Sequence, residues 1–331
     1  MKYPSPEEPL PGIGGLSGAL SSAMDQEFPA WGILNEPGPA PEWPFFEEWL
    51  KAGFYGKLDY MARNAFRRRE LSEGYPGIRT LVMALLPHDA GEEASCRHVT
   101  FPNGPGVVRV ARYAVGPDYH LLFEQAFGRV IGKIRPFLPP TEVPLVKVDH
   151  GALLEKSLAR RAGLGAIGKN TLLIRPGLGS YFTLGSMLLS TPLPSRIGEH
   201  GATEICGSCS RCLDACPTGA LVASFRLDSR RCLSYLTIER PGDDPMELRK
   251  KYGGEWLFGC DICQEVCPYN ATAIAQEPGA KNVGIGIDSP MSLDNLKAFR
   301  SENGALSRVS LARLTSRMGE IVEGATGGSL G

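Results

Sequence analysis

Apolar residues in the first half of the chain recur at two different spacings, and the spacing predicts the element. From Pro44 the side chains of Phe45, Phe46, Trp49, Leu50, Phe54, Leu58 and Met61 return every three or four residues, which predicts two short helices, each with one buried face, broken at Gly53 to Gly56. The mostly apolar run from Arg79 to Pro87 is short enough for a buried strand, and Val107 to Ala114 reads as a second, with a loop from His88 to Gly106 between them. Asp118 opens a helix that runs to about Arg135, where Pro136, Pro139 and Pro140 end it. Val143 to Asp149 is strand-like, Gly151 to Ala162 is helical, and Asn170 to Ile174 and Tyr181 to Leu189 are strand-like again.

This alternation predicts an α/β (α+β) domain over residues 1–195, a mixed or parallel sheet covered by helices. Its first 42 residues, rich in Pro, Gly, Ser and Ala, read as irregular structure with room for one helix. Residues 196–275 form a second, ferredoxin-like domain. After Pro268 the composition turns to Gly, Ala and Ser, and residues 276–331 read as a C-terminal tail with helical stretches at Leu293 to Arg300 and Leu306 to Val322.

Composition narrows the function by exclusion. Thirty-five basic residues against 36 acidic ones leave a formal net charge of −1, so contact with nucleic acid has to come from local patches rather than global attraction. The chain opens with no secretory or twin-arginine signal, and no apolar run approaches the ~18 residues of a membrane span. The expectation is a cytoplasmic protein with no membrane contact.

The cysteines are concentrated. Eight of the nine lie between Cys206 and Cys267; Cys96 stands alone in the predicted loop and reads as a free thiol. Cys206, Cys209, Cys212 and Cys216, with Pro217 behind, follow the Cys-x2-Cys-x2-Cys-x3-Cys-Pro spacing of a bacterial ferredoxin, whose fourth cysteine ligates the other cluster. Cys260, Cys263 and Cys267-Pro268 repeat the pattern one cysteine short, and Cys232 supplies it. The expected sets are Cys206, Cys209, Cys212 and Cys267 on one 4Fe-4S cluster and Cys216, Cys232, Cys260 and Cys263 on the other. Zinc sites also use Cys-x2-Cys spacing, and disulfides are the third alternative, but neither accounts for the third and fourth cysteines and the proline.

Other candidate chemistry is sparser. Asp149 ends a predicted strand, where sheet proteins carry functional groups, although a lone acidic residue there also serves as a helix cap. Gly163, Gly165 and Gly168 mimic a dinucleotide fingerprint but follow a helix and precede a strand, the reverse of what that fingerprint needs. They read as a loop that lets backbone approach a flat or bulky ligand, with Lys169 and Asn170 as polar contacts, or as a simple turn. Asp118 and His120 begin an Asp-x-His-x-x-Gly pattern, but Phe123 stands where its glycine should be, so no histidine metal ligand is expected there. Arg226, Arg230, Arg231 and Arg240 bracket Cys232 and form a local basic patch.

Four stretches in order carry a resemblance: Arg112 to His120, Val148 to Glu155, Ala162 to Ile174, and the cysteine runs with Arg231 to Glu239 between them. Together they resemble the epoxyqueuosine reductase family, whose fold is related to that of reductive dehalogenases. The resemblance implies a cobalamin-dependent oxidoreductase with two 4Fe-4S clusters that reduces the epoxide of epoxyqueuosine at the tRNA wobble position to give queuosine. It implies that Asp149 is the proton donor and corrinoid contact, and that Arg68, Arg112, Lys169, Asn170, Leu173, Leu184 and Ser234 line the corrinoid pocket. It also implies that Arg240 lies near the tRNA, with the protein acting as a monomer on an external low-potential electron donor. Ala166 stands where the family has tryptophan, and the C-terminal helical-repeat module of many members is missing. The competing readings are a cobalamin iron-sulfur reductase of another substrate, such as a dehalogenase, and a ferredoxin-like electron carrier.

Overall fold

The structure, a computed structural model, describes residues 13–88, 96–101, 104–200, 204–240, 254–274, 293–302 and 304–326. Its centre is a four-stranded sheet. In chain order the strands are β1 (Ala30–Asn35), β2 (Thr80–Pro87), β3 (Cys96–Phe101), β4 (Gly104–Val110), β5 (Leu145–Lys147), β6 (Ala166–Ile167), β7 (Leu173–Ile174), β8 (Phe182–Leu189), β9 (Leu221–Ala223), β10 (Arg226–Leu227) and β11 (Trp256–Phe258). The central order is β1-β2-β8-β5, antiparallel throughout. Mixed pairing occurs in the smaller sheet, where β11 runs parallel to β4 and β3 antiparallel to it.

The central strands are apolar on both sides because both faces are covered. Val82, Ala84, Met187 and Leu189 pack into one cluster with Phe123, Phe127 and Val130 of the helix Tyr119–Ile134 and Leu16, Leu20 and Met24 of the helix Ile13–Glu27. Leu81, Met83, Leu85 and Leu188 point the other way, against Leu158, Ala159 and Ala162 around the helix Glu155–Arg161. Two-sided burial erases the apolar-polar alternation that normally marks an antiparallel strand.

Three expectations change. The first 42 residues are not irregular over their described part: Ile13–Glu27 is a helix and β1 is an edge strand of the central sheet, its apolar residues buried on both faces. The region from His88 to Gly106 is not simply a loop, because Cys96 opens β3 and pairs across a hairpin with Arg109. The C-terminal residues are no tail either. The helices Leu293–Glu302 and Leu311–Thr326 and the 3-10 turn Gly304–Arg308 bury Leu296, Leu306, Leu314, Met318 and Ile321 in the first core cluster. Residues 1–12, 275–292 and 327–331 of the expected N- and C-terminal segments lie outside the described residues. Among the described residues no helix is long and apolar enough to cross a membrane.

Candidate functional site

The two cysteine runs fold alike because their sequences are alike. In each, a tight turn leads into a single helical turn, Arg211–Asp214 or Ile262–Glu265, that stops at the Cys-Pro pair. The stops are hydrogen bonds from Cys216 N–H to the Leu213 carbonyl (3.3 Å) and from Cys267 N–H to the Gln264 carbonyl (3.0 Å). None of the eight cysteines of this stretch is in a disulfide.

Their mutual influence sorts them into two groups. Burial, then the charge of Cys206, pushes the Cys212 thiol up, and Cys267 adds to it; burial raises Cys267, with Cys206 and Cys209 contributing. In the other group burial pushes Cys260 up to about 12, with Cys232 and Cys216 adding. Burial, then Cys260, Cys232 and Cys216, raises Cys263 well above its ordinary value, and burial, with Cys216, raises Cys232. These influences do not cross between the two groups.

A thiolate so enclosed needs a cation beside it, and the donor chemistry of four thiols per group fits one 4Fe-4S cluster each. Backbone N–H groups already point at sulfur, from Lys169 to Cys206 Sγ (3.4 Å) and from Ala220 to Cys216 Sγ (3.2 Å). Among the described residues no three His, Cys, Asp or Glu side chains are gathered to hold one metal ion, as a tetrahedral zinc site would need.

Asp149 stands just beyond β5, in a left-handed conformation with φ of 56°. The Tyr119 hydroxyl donates to its Oδ2, and its own backbone N–H donates to Glu155 Oε1 at 3.1 Å. Burial, then the Asp149 charge, raises the Tyr119 hydroxyl far above the phenol range and pushes Glu155 up to about 8. Gly151, with φ of 118°, has to be glycine, because a Cβ there would meet the Tyr75 hydroxyl, which also accepts the Ala152 N–H at 3.1 Å. The cap reading of Asp149 finds no support: its carboxylate meets a phenol, not a helix N–H.

Burial lowers the proton affinity of the Lys156 amine and raises that of Glu155, Cys232, Cys260 and Cys263. One loop links the helix Glu155–Arg161 to the second cysteine run, since Lys156 Nζ donates to the Thr171 carbonyl (2.7 Å) and Asn170 Nδ2 to the Cys263 carbonyl (3.4 Å). The Tyr181 hydroxyl, raised by burial and within the influence of Cys263, has no hydrogen-bond partner among the described residues. That unsatisfied hydroxyl fits a bound group with polar edges such as a corrinoid. A groove of about 540 Å³ lies beside the first cysteine group, lined by Arg211, Asp214, Glu265 and Cys267.

The other expected contacts divide. Arg112 is buried, its N–H bonded to Asp261 Oδ2 (2.7 Å) and its guanidinium 4.4 Å from the Tyr181 ring centre. Asn170 and Leu173 are buried, Leu184 half-buried, and Ser234 supplies an N–H to the Cys232 thiol. Arg68 Nη2 reaches the Tyr60 carbonyl at 3.2 Å, on the Asp149 side. Lys169 Nζ bonds the Gly207 and Cys209 carbonyls, so it clamps the first cysteine loop. The glycines before it serve the fold rather than a ligand: Gly163 backs onto Gly198, and Gly165 and Gly168 onto Ile174. Ala166 is buried in β6. Arg240 follows the single π-helical turn Tyr235–Glu239, and its carbonyl accepts from Arg313 at 2.7 Å. In the basic patch, Arg226 pairs with Glu48 and Arg230 with Asp228.

Sequence reasoning missed Tyr119, Glu155 and Arg308 as site residues. The first two lie inside the quoted motifs, and an acidic residue in a first helical turn ordinarily reads as a partner of the helix dipole. Arg308 follows no motif, yet it pairs with Glu239 at 2.6 Å and its charge reaches Tyr113, Tyr119 and Asp149.

Comparison with known proteins agrees with this geometry. Residues 205–270 match a family model described as a 4Fe-4S double cluster binding domain. The epoxyqueuosine reductase of Pseudomonas aeruginosa is 41% identical over 227 residues, 69% of this chain and 61% of that protein. That of Burkholderia pseudomallei is 34% identical over 309 residues, 85% of this chain and 75% of its own length. A crystal structure of epoxyqueuosine reductase with a tRNA-Tyr epoxyqueuosine-modified tRNA stem loop superposes with a TM-score of 0.75 at 25% identity, covering 96% of this chain and 83% of that one.

Proposed function

The chain belongs to the epoxyqueuosine reductase family, and from that premise we propose that it reduces the epoxide of epoxyqueuosine in tRNA to the alkene of queuosine. The observation that carries this reading is the acid Asp149, held by Tyr119 and Glu155 on a turn whose neighbouring helix is joined through the 169–171 loop to the second cysteine run. The net change breaks both C–O bonds of the epoxide, forms a C=C bond and releases the oxygen as water, consuming two electrons and two protons. A bound corrinoid and two 4Fe-4S clusters would supply those electrons one at a time. The clusters store electrons without creating them, so an external low-potential donor has to refill them.

The protein's own groups do the rest. Cys206, Cys209, Cys212 and Cys267 would hold one cluster and Cys216, Cys232, Cys260 and Cys263 the other, with N–H donors such as that of Ala220 tuning the sulfurs. Arg112, Asn170, Leu173, Leu184 and Ser234 would wall the corrinoid, and Arg68 would close its Asp149 side. Asp149 protonates the oxygen as a C–O bond opens, removing an alkoxide that would otherwise be a poor leaving group. Tyr119 keeps the acid aimed. Arg240 and its basic neighbours Arg226, Arg230 and Arg231 would meet tRNA phosphates, Arg226 and Arg230 also pairing with Glu48 and Asp228. A tRNA substrate places the work in the cytoplasm.

Anaerobic reconstitution with iron, sulfide and cobalamin, then incubation with epoxyqueuosine-containing tRNA and a chemical reductant, tests the reading. Nucleoside mass spectrometry should find queuosine. Full cofactor loading with no loss of epoxide would overturn it.

A further inference from the structure

Asp149 occupies the left-handed region with φ of 56°, and non-glycine residues persist there where the surroundings over-determine them. Its side chain is held by the Tyr119 hydroxyl. Two residues further on, Gly151 and Ala152 rest on Tyr75. Between these anchors the backbone N–H of Asp149 donates to Glu155 Oε1 at 3.1 Å. Glu155 begins the helix Glu155–Arg161, and its carboxyl turns back across six residues to the catalytic turn instead of facing solvent.

We propose that Glu155 is the positioning residue of the acid: its carboxyl oxygen, by accepting the Asp149 N–H, holds Asp149 in the left-handed turn from which its side chain meets Tyr119. The inference rests on the reading of Asp149 as the proton donor. A carbonyl-type oxygen is what the tether requires; a carboxylate accepts more strongly, and a protonated carboxyl still offers its carbonyl oxygen. The dehydrated surroundings that push Glu155 up to about 8 therefore leave the tether intact at neutral pH. Tyr119, Tyr75, Lys156 and Arg308 are the titratable or charged neighbours of this pair, with Tyr60 and Tyr113 beyond them.

Substitution separates the tether from simple packing. Glu155→Gln keeps an acceptor oxygen at the same reach, Glu155→Ala removes it, and Glu155→Asp retracts it by one carbon. In the full chain carrying its cofactors, amide hydrogen exchange over residues 149–151 should speed up about tenfold in Glu155→Ala, the scale of one lost hydrogen bond. kcat should fall about 10- to 100-fold, as for a misplaced catalytic group, with KM for tRNA within twofold and iron and cobalamin contents unchanged. Glu155→Gln should restore slow exchange and most of kcat. If Glu155→Ala does not fold, Glu155→Asp carries the same expectation.

Wild-type exchange and kcat in both the Ala and Asp variants would overturn the proposal, as would a Gln variant no better than Ala. If the wild-type protein proves inactive on epoxyqueuosine tRNA while Glu155→Ala still frees the 149–151 amides, the substrate reading fails and the tether stands.

Discussion

The cysteine region and the sheet core are built on opposite principles. The core clusters flank a four-stranded sheet with wholly buried Phe123, Phe127, Leu20, Met83 and Leu85. The cysteine region from 204 to 274 has helices of seven residues or fewer, two- and three-residue strands, and a small apolar cluster around Leu233, Tyr235, Leu236 and Trp256, while Ile238, Leu257 and Phe258 reach the main core. Its dehydrated thiols do not stabilise a fold unless something binds them. The sheet region is held by burial, whereas the cysteine region would gain much of its stability from the clusters its thiols bind. The C-terminal segment couples the two: Leu306 and Leu314 sit in the core while Arg313 and Arg317 bond the carbonyls of Leu236 and Trp256.

The largest effect should come from the cysteine region. Cys263→Ser should reduce iron on anaerobic reconstitution from about eight per chain to about four and abolish queuosine formation. Limited proteolysis should then cut within 204–274 while the sheet core resists; uniform digestion would mean that the two regions unfold as one. Next, Asp149→Asn should keep both cofactors and lose about 10²- to 10⁴-fold in turnover, the contribution of a general acid. Near-normal turnover with full corrinoid loading would remove Asp149 from the chemistry.

Burial-held positions behave differently. Leu306→Ala should cost about 2–5 kcal/mol and lower Tm while iron content and low-temperature kcat hold. Arg308→Gln, three residues short of the last helix, should do the reverse. Its pair with Glu239 is partly exposed and contributes about 1 kcal/mol or less to stability, so Tm should barely move while kcat falls a few fold. An unchanged kcat would make Arg308 a surface contact only.

The smallest effect is a pH dependence. Folding raises the proton affinity of Glu155, so its contribution to stability is complete below about 4.5 and is lost as pH climbs to about 8. Tm of the wild-type protein should therefore decline more between pH 5 and 8.5 than that of Glu155→Gln, which carries no titrating group there. Parallel curves in scanning calorimetry would show that this carboxyl does not titrate with folding.

How much was legible follows from how local each signal is. Cysteine spacing pointed to a two-cluster domain because chain length between ligands limits which corners of a cluster they reach, and residues 205–270 match a 4Fe-4S double cluster binding domain. The helix Tyr119–Ile134 and the strands β2 and β8 were visible because each buries a long, regular set of side chains. Asp149 stood out at a strand end.

What the sequence by itself determined is thus the local part: the long regular elements such as Tyr119–Ile134, β2 and β8, and the paired cysteine motifs with their prolines. The tertiary structure alone decided that β1 closes one edge of an antiparallel sheet, that the Gly163–Gly168 loop packs on its own backbone, and that Glu155 turns back to Asp149. It alone brought Arg308 from the far end of the chain to within electrostatic reach of Tyr119. Those contacts join residues far apart in sequence or reverse the usual role of a residue type. Periodicity and spacing record only what neighbours along the chain require of one another, whereas such contacts exist only once apolar burial has folded distant segments together.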